Sequence, residues 1–328
     1  MHISFEAKPA SGERPMPKYI RRSVLALSID DPDLEAKAFA SWADAIVLDF
    51  DKPIGLDWQA SVRARMPAAI GSAARGGARV FVRANCNSAR AELDATVFRG
   101  IAGVVLQQVR DAQGVVRAAE HLAELETARG IDSGSLEIDV EIDNAAAVWH
   151  ALEIARASDR FGAFLLNEPA LCRALGIQTS PELDFDPLDY VKSQLITAAI
   201  SVGGQALGMS YPLGLTGERA SDEVLRAAVG RARDTGFKGA LCPDPSWIAA
   251  CNEGFRPSVD EAAYYEKVIE VFAEGLARGM ASVPLDGKMI DVPVDLRAKV
   301  YLAWANRANA RDEQKAAAHR APAGRSVP

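Results

Sequence analysis

Eight short apolar runs alternate with longer helical segments along most of this chain. The segments between the runs carry Ala, Leu, Glu and Arg at helical spacing, as in 60–75 and 112–128. Strict alternation favours a parallel sheet, and eight units in about 230 residues favour a closed (β/α)8 barrel. A doubly wound sheet is the alternative, although no G-x-G-x-x-G motif follows the first run. The runs are VLALS (24–28), AIVLDF (45–50), VFVRAN (80–85), GVVLQQV (103–109), LEIDVEI (136–142), AFLLNE (163–168), GGQALGMS (203–210) and GALCPD (239–244).

Composition narrows the function classes. The net charge is −7 and the 37 basic residues form no cluster, which argues against a nucleic-acid partner. No apolar run approaches the roughly 18 residues that a membrane span needs. The four cysteines are isolated and the four histidines are scattered, so a zinc site, a disulfide or a histidine-based triad is not expected. We therefore expect a cytoplasmic protein that acts on a small molecule through carboxylates, with no nucleic-acid or membrane partner.

Polar side chains follow several of the apolar runs, at the point where each predicted strand ends. In a barrel these carboxyl ends meet at one rim, where such enzymes place their chemistry. The alternative is that strand ends become polar simply because they leave the core. Glu137 and Asp139 share the strand face of Glu141 but lie deeper, so we expect them to be solvated or salt-bridged at the other end. The rim residues are Asp49, Asp51, Arg83, Asn85, Gln107, Gln108, Glu141, Asp143, Asn167 and Glu168.

Several motifs resemble the citrate lyase β-subunit-like enzymes of the HpcH/HpaI aldolase superfamily, over about residues 21–305. The most specific are GFKGALCPDPSWIAACNEGFRPS (236–258) and LDGKMIDVP (285–293), and the others include FVRAN (81–85) and VEIDNA (140–145). The resemblance implies a TIM barrel with an extra C-terminal helical segment, assembled as a homotrimer or hexamer. It also implies a Mg²⁺-dependent carbon–carbon lyase or aldolase. The implied substrate is a citryl- or malyl-like thioester of CoA or an acyl carrier protein, or a related keto acid.

The resemblance also assigns roles to particular residues. Arg83 would bind the substrate carboxylate and Glu141 would be a magnesium ligand. Asp291, in DGKMID, would be the acid/base that a neighbouring subunit contributes. Asp49 and Asp51 stand where the family has an acidic cluster on its second strand. Two alternatives stay open: Arg83 could pair with one of these aspartates, and Asp291 could cap the helix that begins near Pro293.

The chain departs from the family pattern at a position that matters for the metal. Ala170 stands where the family has its second metal-ligating aspartate, so Glu168 or Asp143 would have to substitute. Two further interpretations therefore remain. The protein could be a catalytically silent relative that binds an acyl-CoA or keto acid, or a metal-free enzyme that hydrolyses a thioester with Asp51 or Glu168 as the base. The other departures are Lys52, Gln108, Ile142, Gly208, Ala240 and Asp244.

Composition also predicts the division of the chain. Residues 1–18, which are rich in Pro, Lys, Gly and Ser, are expected to form a flexible arm, and 19–257 the barrel. Residues 258–308 are expected to form a helical segment that makes the oligomer contact. Residues 309–328 (NARDEQKAAAHRAPAGRSVP) are expected to form a disordered tail that begins as a fraying helix.

Overall fold

The computed structural model describes residues 18–50, 56–178, 180 and 183–321. Its main sheet contains eight parallel strands in the order β7-β6-β5-β4-β3-β2-β1-β8. A parallel bridge joins Leu207 to Gly239, so the last two strands meet and the barrel closes. The predicted TIM barrel is confirmed, and the doubly wound alternative is wrong. The strands are β1 (Ser23–Ser28), β2 (Ala45–Asp49), β3 (Arg79–Asn85), β4 (Ile101–Gln107), β5 (Glu137–Ile142), β6 (Phe161–Leu166), β7 (Gln205–Leu207) and β8 (Ala240–Cys242).

Thirteen helices are present in the described part of the chain. Local signals explain their ends: Asp111 accepts a hydrogen bond from the Gly114 amide at the start of α4, and Gly130 ends that helix with a φ of 61°. None of the described helices combines the length and apolarity needed to cross a bilayer. The helices are α1 (Leu34–Ser41), α2 (Leu56–Ala74), α3 (Ala89–Thr96), α4 (Ala112–Arg129), α5 (Ala145–Trp149), α6 (Ala151–Arg156), α7 (Glu168–Leu175), α8 (Asp189–Ser201), α9 (Leu213–Thr216), α10 (Asp222–Thr235), α11 (Trp247–Gly254), α12 (Val259–Ala277) and α13 (Val292–Arg320).

The two faces of the barrel strands have different environments. Outward-facing residues such as Ile46, Leu48 and Val82 are fully buried in the core beneath the helices. Inward-facing residues such as Val47 and Phe81 form a second apolar cluster inside the barrel. Because side chains two apart on a strand share a face, the residues that follow this inner cluster also point inward. That periodicity brings polar side chains from several strands to the carboxyl rim.

The amino-terminal end of the barrel interior holds a buried ion-pair cluster. Arg21 contacts Glu137 and lies 2.8 Å from Asp139, and its guanidinium stacks on the Phe81 ring. The prediction that these two acids are salt-bridged is therefore confirmed. Burial raises the pKa of Asp139 to about 7; the nearby Glu137 carboxylate acts in the same direction, although Arg21 opposes them. Arg21 pairs with both acids. Burial and the adjacent Glu137 carboxylate therefore favour the protonated form of Asp139.

We expect an Asp139→Asn variant to gain stability relative to the wild type as the pH rises. Because the folded pKa lies above the unfolded value of about 3.9, the wild type loses stability between about pH 4 and pH 7, at up to about 1.4 kcal/mol per pH unit. Asparagine does not titrate, so the variant lacks this slope. Urea unfolding near pH 5 and pH 8 measures the difference, with the exposed Asp132→Asn as the matched control. An Asp139→Asn effect equal at both pH values would contradict the expectation.

The chain divides into two compact units, one of which contains Pro257–Asn306. In that unit α12 begins at a capping box formed by Ser258 and Glu261. Two short antiparallel strands, β9 (Val283–Leu285) and β10 (Lys288–Ile290), follow. Asp286 and Gly287 join them with φ values of 48° and 75°, as a two-residue hairpin turn requires. The LDGKMI motif thus encodes a hairpin.

The second unit contains 17–256 together with the residues from Arg307 onwards. Helix α13 continues to Arg320, so the prediction of disorder from residue 309 is wrong over 309–320. Lys315 Nζ lies 2.7 Å from Asp44 Oδ1, and Arg311 Nη2 donates to the Asp44 carbonyl at 2.8 Å. These cations stay ordered because they neutralise a fully buried carboxylate at the amino-terminal end of the barrel. Their partner lies about 270 residues away in sequence, so local composition could not reveal it.

Candidate active site

The carboxyl rim of the barrel gathers polar side chains around Arg83. Its Nη1 contacts Asp49 Oδ2, and its Nη2 lies 3.1 Å from Glu141 Oε2. Asp49 and Arg83 follow Val47 and Phe81 by two residues, so the inward periodicity of β2 and β3 places them in the barrel mouth. The sequence had left open a pairing of Arg83 with an aspartate, and this pairing is present. Asp51 lies outside the described residues.

Glu141 is fully buried and its carboxylate is held by three side chains. Its Oε1 accepts hydrogen bonds from Asn167 Nδ2 at 2.7 Å and from Gln107 Nε2 at 3.2 Å. Asn167 also begins α7, where its Oδ1 accepts from the Ala170 amide. Buried charges are tolerated only when they are paired and hydrogen-bonded in this way. The arrangement fixes Glu141 as an anchor for the Arg83 guanidinium.

One donor of Arg83 is left without a partner. Among the described residues, no acceptor forms a hydrogen bond with its buried Nε. The Asp49 side chain beside it is about a third exposed, so it can rotate towards solvent. An arginine that offers Nε and one Nη can bind a carboxylate through two parallel hydrogen bonds. The geometry therefore suits Arg83 to an incoming carboxylate.

Glu168 forms its ion pair with a residue outside the cluster around Arg83. Its Oε2 is 2.9 Å from Lys192 Nζ, which also lies 2.7 Å from Asp186 Oδ2 and donates to the Met209 carbonyl at 2.9 Å. Burial raises the pKa of Glu168 to about 7, against the opposing charge of Lys192. A Cβ at position 214 would overlap Glu168 Oε1, so a larger residue there would displace the Glu168 carboxylate. Sequence reasoning missed Lys192; its one signal is that it is the single cation of the α8 segment.

Asp143 is the other residue that could substitute as a metal ligand, and both of its carboxylate oxygens accept hydrogen bonds from neighbouring residues. Its Oδ2 accepts from the Gln108 amide at 3.0 Å, and its Oδ1 accepts from Asn144 Nδ2 at 2.7 Å. Gln108 has a φ of 58°, a left-handed conformation that is uncommon for residues other than glycine. The Asp143 carboxylate stabilises this turn at the rim. It therefore has a structural task at the end of β4.

The magnesium ion that the resemblance implies finds a poor donor set among these residues. Mg²⁺ favours near-octahedral oxygen ligands that include one or two carboxylates. Glu141 Oε1 accepts two hydrogen bonds, and its Oε2 makes no hydrogen bond among the described residues but lies 3.1 Å from the Arg83 cation. Glu168 is neutralised by Lys192, and Ala170 offers only a methyl group. No group of three or more His, Cys, Asp or Glu side chains in the described ranges could hold a metal ion. The described side chains do not fit a resident Mg²⁺, and this differs from the predicted ligand roles of Glu141 and Glu168.

A cavity of about 200 Å³ opens beside this cluster, where β1, β6, β7 and β8 end. Asn167 and Glu168 give it a polar wall, while Leu166, Met209 and Trp247 form apolar walls. Asn167 thus contacts Glu141 on one side and lines the cavity on the other.

Asp291 lies in the unit that contains Pro257–Asn306. Its Oδ1 accepts a hydrogen bond from the Val294 amide at 3.2 Å, at the start of α13. This is the helix-capping contact that the sequence left open as an alternative. The capping contact gives Asp291 a local structural role, and its role as an acid/base remains a prediction.

A match to a family model identifies the class of protein to which this barrel belongs. Residues 22–245 match the model of the HpcH/HpaI aldolase/citrate lyase family, and the chain belongs to that family. It is 25% identical over 296 residues to the citrate lyase subunit beta of Escherichia coli K12, which covers 89% of this chain and 96% of that protein. It is also 25% identical over 329 residues to the L-malyl-CoA/beta-methylmalyl-CoA lyase of Cereibacter sphaeroides, which covers 94% and 100%.

Solved structures show the same fold. CitE from Mycobacterium tuberculosis, in complex with magnesium, acetoacetate and coenzyme A, superposes with a TM-score of 0.60 at 23% identity, covering 88% of this chain and 99% of that one. A citrate lyase from Burkholderia xenovorans LB400 gives a TM-score of 0.68 at 15% identity, covering 93% and 97%.

Proposed function

We propose that this chain is a carbon–carbon lyase that cleaves a hydroxyacyl compound at the carboxyl end of its barrel. The substrate class is a citryl- or malyl-like thioester, or the related free hydroxy or keto acid. Membership of the family and the activities of the citrate lyase and malyl-CoA lyase relatives support this proposal. The observation that carries it is Arg83, a half-buried arginine in the barrel mouth whose buried Nε has no hydrogen-bond partner among the described residues.

Arg83 binds the substrate carboxylate through Nε and one Nη. Glu141 holds the guanidinium from below, and Gln107 and Asn167 fix the Glu141 carboxylate by hydrogen bonds. Asp49 occupies the anion position of Arg83 when no substrate is bound and moves aside when a carboxylate arrives. Binding thus exchanges one carboxylate for another at the same cation.

The adjoining cavity holds the carbon chain to be cleaved. Glu168 is the one acid among its described lining residues, and we assign it the proton transfer. Its carboxylate removes the hydroxyl proton while the carbon–carbon bond breaks, which releases a keto acid and the enolate of the shorter acyl group. Glu168 then returns this proton to the enolate carbon. No proton is gained or lost over the cycle.

A second candidate function is ligand binding without turnover. Ala170 supports it, because that position carries a metal ligand in the resembling family and a methyl group here. Under this alternative Arg83 would still bind the carboxylate, while no cleavage would follow.

The test is cleavage of citryl-CoA and malyl-CoA by the purified full-length chain, with Mg²⁺ or with EDTA. We expect one of them to release its oxo acid, at rates with EDTA within about twofold of those with Mg²⁺ because the described residues build no resident metal site. Loss of cleavage on chelation would contradict the metal-independent form of the proposal. Calorimetric binding of the CoA thioesters without any cleavage would favour the second candidate.

The assembly remains a proposal. Val292, Leu296 and Val300 form an exposed apolar stripe with a four-residue spacing on α13. We propose that this stripe makes the contact of a homotrimer or hexamer. Light scattering on the same preparation is expected to give that mass, and a monomer would exclude it.

A further inference from the structure

A second cavity, of about 150 Å³, lies at the opposite end of the barrel from the rim. Arg79 begins β3 and Tyr19 precedes β1, so both mark the amino-terminal ends of strands. None of the described residues that line this cavity is acidic, although the chain as a whole carries a net charge of −7. The lining side chains that matter here are Lys18, Tyr19, Arg79, Arg307, Arg311 and Gln314.

Arg311 is a buried cation in the wall of this cavity, and hydrogen bonds hold it in place. It is only 6% exposed, and its Nη2 is fixed by the carbonyls of Asp44 and Gly77 at 2.8 and 2.6 Å. Its Nε has no hydrogen-bond partner among the described residues, since Asp44 Oδ1 lies 3.9 Å away. Burial lowers the pKa of Arg311 to about 10; the guanidinium groups of Arg79 and Arg22 act in the same direction, and the carboxylates of Asp44 and Asp312 oppose them. Asp44 thus balances the charge of Arg311, while the Arg311 Nε keeps an unused hydrogen-bond donor among the described residues.

Two other cations stand at the mouth of this cavity. Lys18 and Arg79 lie 5.4 and 5.0 Å from the centre of the Tyr19 ring. No carboxylate of the described residues forms an ion pair with either. Arg307 Nη2 donates to the Lys18 carbonyl at 3.0 Å, which fixes the backbone between these side chains. Cations gathered in this way repel each other unless an anion joins them.

We propose that this cavity binds a small multivalent anion of the phosphate class. Guanidinium groups bind phosphate oxygens through paired, charge-assisted hydrogen bonds, and a lysine adds a compact charge. The cavity of about 150 Å³ has room for inorganic phosphate or pyrophosphate, while a nucleoside would extend beyond it. The site is separate from Arg83 and does not depend on the proposed lyase activity.

The test is calorimetric titration of the full chain with phosphate, pyrophosphate and AMP at matched chloride concentration. We expect pyrophosphate to bind, and AMP to bind no more tightly than phosphate. Arg79→Gln and the double variant Lys18→Gln/Arg79→Gln should each weaken pyrophosphate by about tenfold or more. The exposed Arg231→Gln is the matched control, and Arg83→Met should leave pyrophosphate affinity unchanged.

Three results would overturn the proposal. The first is no detectable binding of pyrophosphate at about 10 mM, because a preformed site for this anion should have a lower Kd. The second is an affinity that Arg79→Gln leaves unchanged, and the third is AMP binding more tightly than phosphate. Both substituted side chains are exposed, so circular dichroism should show folded variants.

Discussion

The Arg83→Met variant is expected to cleave the hydroxyacyl substrate with kcat/KM lowered by about 10²- to 10³-fold, or about 3–4 kcal/mol. The variant loses the guanidinium that binds the substrate carboxylate. It also leaves Glu141 buried without its cation, and that negative charge repels an anionic substrate. Steady-state kinetics with the substrate found in the cleavage assay measure the change.

Two further variants sharpen this test. Arg83→Lys keeps the charge but lacks the planar pair of donors, so its kcat/KM should lie between those of the wild type and Arg83→Met. Arg90→Met removes an arginine that is 71% exposed and pairs with Glu124 on the surface, and its kinetics should stay unchanged. A folded Arg83→Met protein with kcat/KM within about twofold of the wild type would refute the assignment.

The Asp44→Asn variant is expected to lower the free energy of unfolding by about 3–5 kcal/mol. Asp44 is fully buried; Arg22 donates to both of its carboxylate oxygens, and Lys315 donates to Oδ1. Asparagine leaves these buried cations with only the partly exposed Asp312 as a counter-charge. Urea unfolding at neutral pH measures the loss.

The pH dependence of this loss in unfolding free energy provides a second test of the role of Asp44. Burial alone would raise the pKa of Asp44, but Arg22, Lys315 and Arg311 hold it well below its ordinary value. The stabilisation is therefore complete above the unfolded pKa of about 3.9 and is lost as the pH falls below it. Asp312→Asn is the control, because the Asp312 side chain is 38% exposed and should cost only about 1 kcal/mol. Equal losses in the two variants would contradict the expectation.

The sequence predicted the barrel because the signals that define it are local. Apolar runs of strand length, separated by helical segments, need no knowledge of distant contacts. The meeting of Arg83 and Glu141 follows from the same local rule, since both lie two residues beyond an inward-facing position of their strands. What these residues do in a reaction is a separate question, and their roles remain predictions.

Other features could not be read from the sequence because their partners are distant. Glu168 could have faced a metal, and only the fold shows that Lys192 of α8 neutralises it. Residues 309–320 have the composition of a fraying helix, and only the position of Asp44 explains why they are ordered. Charges in these segments find partners through tertiary structure, which propensity and periodicity do not encode.

The placement of Lys315 and Arg311 against Asp44 has a consequence for folding during translation. All eight barrel strands leave the ribosome before these two cations are synthesised. A nascent barrel therefore has to balance Asp44 with Arg22 alone, and it gains its final charge balance only when α13 emerges. The barrel of this family member reaches its full stability after translation has passed residue 315.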